Sequence, residues 1–129
     1  MLHTASDYYT NLLKEVIFDL ERNGDTFVMV AGALGIGTET FKDNLKRMKD
    51  QMTLLASQGH AVFDQTPYLD IYHPEAPQDY AQKFDIFYKG IIQSGLIAKL
   101  FVLPGYEEAR GVVSEIKYAK EKGIPITYL

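Results

Sequence analysis

Cysteine is absent from the 129-residue sequence, which removes disulfides, thiol nucleophiles and Cys-ligated zinc together. Also missing is a basic excess. The formal net charge is −4 and the pI is about 5.3, with Lys and Arg spread along helical stretches. No cationic field is available to displace counterions from a nucleic-acid polymer, so none is expected as a partner. Long apolar runs are lacking as well. The stretch "LIAKLFVL" is broken by Lys99 and is far too short to span a bilayer. The opening "MLHTASDYY" has no basic region leading into an apolar core, so it does not read as a secretion signal. The expectation is a cytoplasmic protein with no membrane partner. His3, His60 and His73 do not stand at metal-ligand spacing with carboxylates, so neither a metal nor a cofactor is expected.

What remains is the composition of a foldable globular chain, 47% hydrophobic and 23% charged. Its length suits one domain over residues 1–129 with a single core. After Ser6, a plausible N-cap, the apolar residues Tyr9, Leu12, Leu13, Val16, Ile17 and Leu20 recur at helical spacing as far as Gly24. "TFVMVAG" is a continuous β-branched apolar run that reads as a buried strand. From Thr38 or Thr40, the stripe Phe41, Leu45, Met48, Met52 and Leu55 predicts a long helix ending near Gly59. "HAVFDQ" is the next expected strand. "TPYLDIYHPEAPQ" holds three prolines and two tyrosines in thirteen residues and reads as a loop. A helix follows through Tyr80, Phe84, Phe87, Tyr88, Ile91 and Ile92. Then come a strand in "LIAKLFVLPG", a helix in "EEARGVVSEIKYAKEKG" and a final strand in "IPITYL".

Strands of buried character alternating with helices predict an α/β fold. The expectation is a three-layer α/β/α domain with a four- to five-stranded parallel sheet, Rossmann- or flavodoxin-like, with the helix over about 6–23 as an addition. In such sheets ligands sit beyond the carboxyl ends of the strands. That rule selects three places: "AGALGIGTE", "DQTPYLDIYH" and "LPGYEEARG".

In the first place, Gly32, Ala33, Gly35 and Gly37 lie between a strand and a helix. Two readings fit: a tight turn, or a loop whose backbone N–H groups cradle an anion. The spacing G-x-x-G-x-G is neither a dinucleotide fingerprint nor a P-loop. In the third place, Pro104 and Gly105 end a strand abruptly and the next helix starts between Glu107 and Gly111. Glu115 then falls within about two turns of a positive helix end, with Gly111 and Tyr118 on its flank and Val112, Ile116, Ala119 and Gly123 forming the stripe that faces the sheet. A helix glutamate is either a solvated surface residue or, as here placed, a carboxylate facing a crevice.

"LPGYEEARGVVSEIKYAKEKGIPI" resembles the nucleoside 2-deoxyribosyltransferase-like superfamily, most closely its small bacterial and phage members. Those show L-P-G-W-x-x-S-x-G-x-x-x-E-x-x-x-A-x-x-x-G-x-P. Leu103, Pro104, Gly105, Gly111, Glu115, Ala119, Gly123 and Pro125 match at these spacings, with Tyr106 in the aromatic position. The resemblance implies Glu115 as the nucleophile that attacks the anomeric carbon of a deoxyribose, with Asp85 as the second, orienting or acid carboxyl group and Asp64 next in line. A retaining mechanism through an oxocarbenium-like transition state wants two such carboxyl groups close together. Gly32, Ala33, Gly35, Gly37, Gly105, Tyr106, Arg110 and Gly111 would hold sugar, base or phosphate, Arg110 as a fork for phosphate oxygens. The expected partner is a small nucleoside or nucleotide, and the expected assembly a homo-oligomer, a dimer or larger. The expected activity is N-glycosidic cleavage or 2-deoxyribosyl transfer. Ala109, where the family pattern has Ser, and Lys99, near a usual acid, fit the alternative of a nucleotide-binding module without turnover. A third reading is a structural protein whose first helix packs a homodimer.

Overall fold

The computed structural model describes residues 5–24, 26–32, 38–66 and 87–129. Helix α1, Ala5–Arg22, opens the described chain. Ser6 lies inside its first turn and is not the residue before it. The helix ends where expected: Asn23 and Gly24 return their N–H groups to Leu20 and Glu21, and the Asn23 side chain donates to the Asp19 carbonyl. Strand β1, Phe27–Ala31, is buried at every position, as a continuous apolar run demands when both faces are covered.

Helix α2, Thr38–Ser57, follows. Met48 and Leu55 of its predicted stripe are buried, and Leu45 and Met52 pack partly buried against the core. It closes with the His60 N–H on the Leu55 carbonyl and the Gly59 N–H on Ala56, the paired bonds that satisfy the last carbonyls of a helix. Residues 87–92 are helical and form α3. Strand β2, Ile97–Val102, leads through a 3-10 turn at Tyr106–Glu108 into α4, Arg110–Lys122, and then β3, Ile126–Tyr128. Gly123, expected on the sheet-facing stripe of α4, is instead the exposed left-handed residue that ends it.

The sheet is parallel, with order β1-β2-β3. The register pairs Val28 with Lys99, Val30 with Phe101 and Ala31 with Val102, after an irregularity between Phe27 and Val28. Among the described residues the sheet has three strands, not the four or five expected. "HAVFDQ" shrinks to a single bridge between Val62 and Val28, on the side of β1 away from β2. The Val28 N–H donates to the Ala61 carbonyl and the Phe63 N–H to the Val28 carbonyl. The physical reason for the short pairing lies in the next three residues. The Asp64 carboxylate accepts from the Thr66 N–H at 3.0 Å and from its hydroxyl at 2.6 Å, a local turn that bends the backbone off the ladder. The Gln65 side chain, 2% exposed, donates from Nε2 to the Val30 carbonyl at 2.6 Å.

Helix α1 belongs to the core of the domain. Val16 and Leu20 are buried within the chain, and Leu13 lies so close to Gly90 of α3 that a β-carbon there would overlap its side chain. Its apolar face is therefore used inside the molecule. Overpacking at such a contact costs about 1–3 kcal/mol. Gly90→Ala is expected to lower stability by that amount in urea titration. Leu13→Ala combined with it is expected to cost less than the sum of the two single changes, because one substitution vacates the space the other needs.

Candidate functional site

The site is built where β1 and β2 end side by side. Because Ala31 is paired with Val102, the residues that follow each strand must meet: the Leu103 N–H donates to the Ala31 carbonyl at 2.9 Å. A β-carbon at Gly32 would stand 2.6 Å from Leu103 Cδ1 and 3.4 Å from its Cβ. A side chain at position 32 would therefore require the Leu103 Cδ1 methyl to move. Ala33, Gly35 and Gly37 lie outside the described residues.

The corner beyond β2 turns as the sequence suggests. Gly105 adopts φ 85° and ψ 14°, a left-handed conformation that a side chain resists. Tyr106 opens the 3-10 turn, half-buried, with its ring 5.3 Å from that of Tyr128 at the end of β3. The Ala109 N–H donates to the Tyr106 carbonyl, and Ala109 then serves as the N-cap of α4 without a side-chain hydrogen bond. A serine there would supply the hydroxyl that this position usually offers a helix. Arg110 and Gly111 are the first residues of α4. Gly111 is exposed, and the Arg110 side chain lies outside the described ones.

Glu115 answers the question the sequence left open. It is 7% exposed, on a helix face it shares with Val112 at 3%, Ile116 at 8% and Ala119 at 0%. It is therefore not a solvated surface glutamate. Its neighbours on α4 behave as surface residues should, with Lys117, Lys120 and Glu121 exposed. Helix α4 is tied to α3 alongside: Gln93 Nε2 donates to the Tyr118 carbonyl at 3.3 Å and to Glu121 Oε2 at 3.0 Å, while Lys89 Nζ stands 5.4 Å from the centre of the Tyr118 ring.

Comparison of the chain with protein-family models, with curated proteins and with solved structures gave no match.

The structure thus gathers Gly32, the Leu103–Gly105 corner and the start of α4 at one edge of the sheet, with Glu115 buried on that same helix. Asp64 stands on the other side of β1, past the Val62 bridge, exposed and engaged by Thr66. Asp85 lies outside the described residues. Lys99 is half-buried with Nζ 5.0 Å from the centre of the Phe101 ring, so the position near the usual acid is filled by a cation packed on an aromatic face.

Sequence reasoning missed Gln65 and the hydroxyl of Tyr88. Tyr88, 3% exposed, donates to Gln65 Oε1 at 2.6 Å. The signal for Gln65 was present: two residues after buried Phe63, with exposed Asp64 between them, the period of an extended chain turns it inward. The hydroxyl partner depends on tertiary contact and has no local signature.

Among the described residues no group of three or more His, Asp or Glu is placed to hold a metal ion, and no helix is long and apolar enough to cross a membrane. Forcing a side chain into the left-handed region costs about 1–2 kcal/mol. Gly105→Ala is expected to destabilise the domain by that amount in denaturant titration, and Gly105→Asn by less, since asparagine tolerates the conformation better.

Proposed function

We propose that the chain cleaves or transfers the N-glycosidic bond of a small deoxynucleoside or its monophosphate, with Glu115 as the nucleophile. The observation that carries the reading is the burial of Glu115, at 7% exposure, on the sheet-facing stripe of α4. An apolar residue there would have packed at no electrostatic cost, whereas withdrawing a carboxylate from water costs several kcal/mol before its neighbours compensate. A helix position that carries such a cost next to the carboxyl edge of a parallel sheet is where a reacting group belongs. In the proposed reaction the Glu115 carboxylate attacks the anomeric carbon as the bond to the base nitrogen breaks. The departing base takes a proton from a second acid, for which Asp85 is the sequence candidate, and water or a second base then resolves the glycosyl ester. Arg110, Gly111, Tyr106, Gly105 and the glycines from Gly32 onward form the substrate seat of this reading.

The proposal includes the finer fold. With the Val62 bridge beside β1 and then β2 and β3, the chain order across the sheet is that of a flavodoxin-like domain. Its change of direction falls between β1 and β2, where ligands of that architecture bind. Right-handed crossovers would put α2 on one face and α3 and α4 on the other, giving three layers.

One observation favours a second reading, a nucleotide-binding module without turnover: Ala109 caps α4 with no side-chain hydrogen bond. A single experiment separates the two. The protein is incubated with a panel of deoxynucleosides and their 5′-monophosphates, and free base is followed by chromatography. Release that falls at least about a thousandfold in both Glu115→Gln and Glu115→Ala is the result expected of a nucleophile. A ligand-dependent rise in Tm with no release establishes the binding module in its place.

A further inference from the structure

The Gln65 amide is a surrogate for backbone. In a parallel ladder, the bonds of Val28 to Ala61 and Phe63 are followed by one from the N–H of the residue two further on to the carbonyl of Val30. That residue is Gln65, and it makes the bond from its side chain, at 2.6 Å. The backbone is thereby released into the Asp64–Thr66 turn while β1 keeps its hydrogen bond. Chemistry fixes which way the amide faces. The Val30 carbonyl can only accept, so nitrogen must face it; oxygen then faces Tyr88, whose hydroxyl donates at 2.6 Å. All three groups are buried. A neutral network with its partners in place is rigid, and losing one member strands another away from water.

From Tyr88 the contacts continue. Lys89 of the same helix α3, and Gln93 directly after it, hold Tyr118 and Glu121 of α4. Tyr118 is three residues, less than one turn, beyond Glu115. We propose that Gln65 and Tyr88 form a positioning latch: together they anchor α3 to the carboxyl end of β1, and through α3 they set the seat of α4 and of its buried Glu115. The functional meaning of this latch rests on the reading of Glu115 as the reacting carboxylate, but its physical test does not.

The test is made on the full chain by NMR at one fixed pH. In wild-type protein the Gln65 side-chain amide is expected to exchange with solvent at least about tenfold more slowly than that of Gln58, which is exposed in the turn after α2. Tyr88→Phe removes only a hydroxyl. It is expected to speed exchange at Gln65 and to shift the carboxyl carbon resonance of Glu115, assigned by its loss in Glu115→Gln. The resonance of Asp50, paired with Lys46 on the surface of α2, is expected to stay in place. Exchange at Gln65 as fast as at Gln58 overturns the latch outright, and needs no variant to be seen. A response at Gln65 with none at Glu115 confines the pair to the sheet and overturns its positioning role. None of these readouts requires turnover, so absence of base release would refute the glycosidic reading while the latch stood or fell on its own.

Discussion

A strand buried along its whole length must find a partner for every backbone N–H and carbonyl it carries, because water cannot reach them. That requirement on β1 organises the domain. On one side β2 pairs with it in parallel register; on the other, two bonds at the Val62 bridge serve Val28 and the Gln65 amide serves the Val30 carbonyl. The register with β2 brings Ala31 level with Val102, so Gly32 and Leu103 emerge at the same height and collide unless one of them is small. The crowding at the sheet edge, where Gly32 and Leu103 meet, follows from satisfying one strand.

Among the described residues, Gln65 and Glu115 bring polar side chains into an otherwise apolar core, and they do so differently. Gln65 is neutral, and both ends of its amide are engaged: nitrogen donates to the Val30 carbonyl and oxygen accepts from Tyr88. Such a group stabilises by replacing a ladder bond with an equivalent one, a net effect of about 1 kcal/mol. Glu115 carries a carboxyl group into the same interior, between Val112 and Ala119 on the helix face. A buried carboxyl group is weak evidence for stability even when well partnered, since an apolar residue of similar volume commonly does as well. The first interruption is explained by the fold; the second is the position to which the proposed chemistry is assigned.

How much of this was legible in the sequence depended on whether the controlling interaction was local. The α2 stripe through Met48 and Leu55, the all-buried run of β1, the abrupt strand end at Pro104 and Gly105 and a helix start between Glu107 and Gly111 are each set by spacing or by one residue's backbone preference, and each was readable. The strand at "HAVFDQ" was misjudged because its composition is that of a strand, while its pairing is cut short by an Asp64–Thr66 turn and a side-chain bond to a carbonyl 35 residues away. The end of α4 was misjudged at Gly123 for a different reason: helical period places it on the stripe, and only its positive φ shows that the helix has already stopped. At the site, the sheet-edge residues followed from topology, whereas the depth of Glu115 required knowing which face of α4 the sheet takes.

That depth has a geometric origin. A helix rises 1.5 Å per residue, so Glu115 stands roughly 7–8 Å along α4 from Arg110. In the first turn, beside Gly111, a carboxylate would be exposed as Gly111 is; one turn beyond Glu115, at Ala119, it would be sealed in the core. The 3-10 turn at Tyr106–Glu108 and the Ala109 cap fix where α4 begins, and hence which residue reaches the intermediate depth. Beyond the first turn the helix dipole contributes little, so at Glu115 the burial of the side chain outweighs its position along the helix axis. The proposed sugar chemistry asks two things of a carboxylate at this depth: that an anomeric carbon can approach it, and that a developing cation depends on it instead of on solvent.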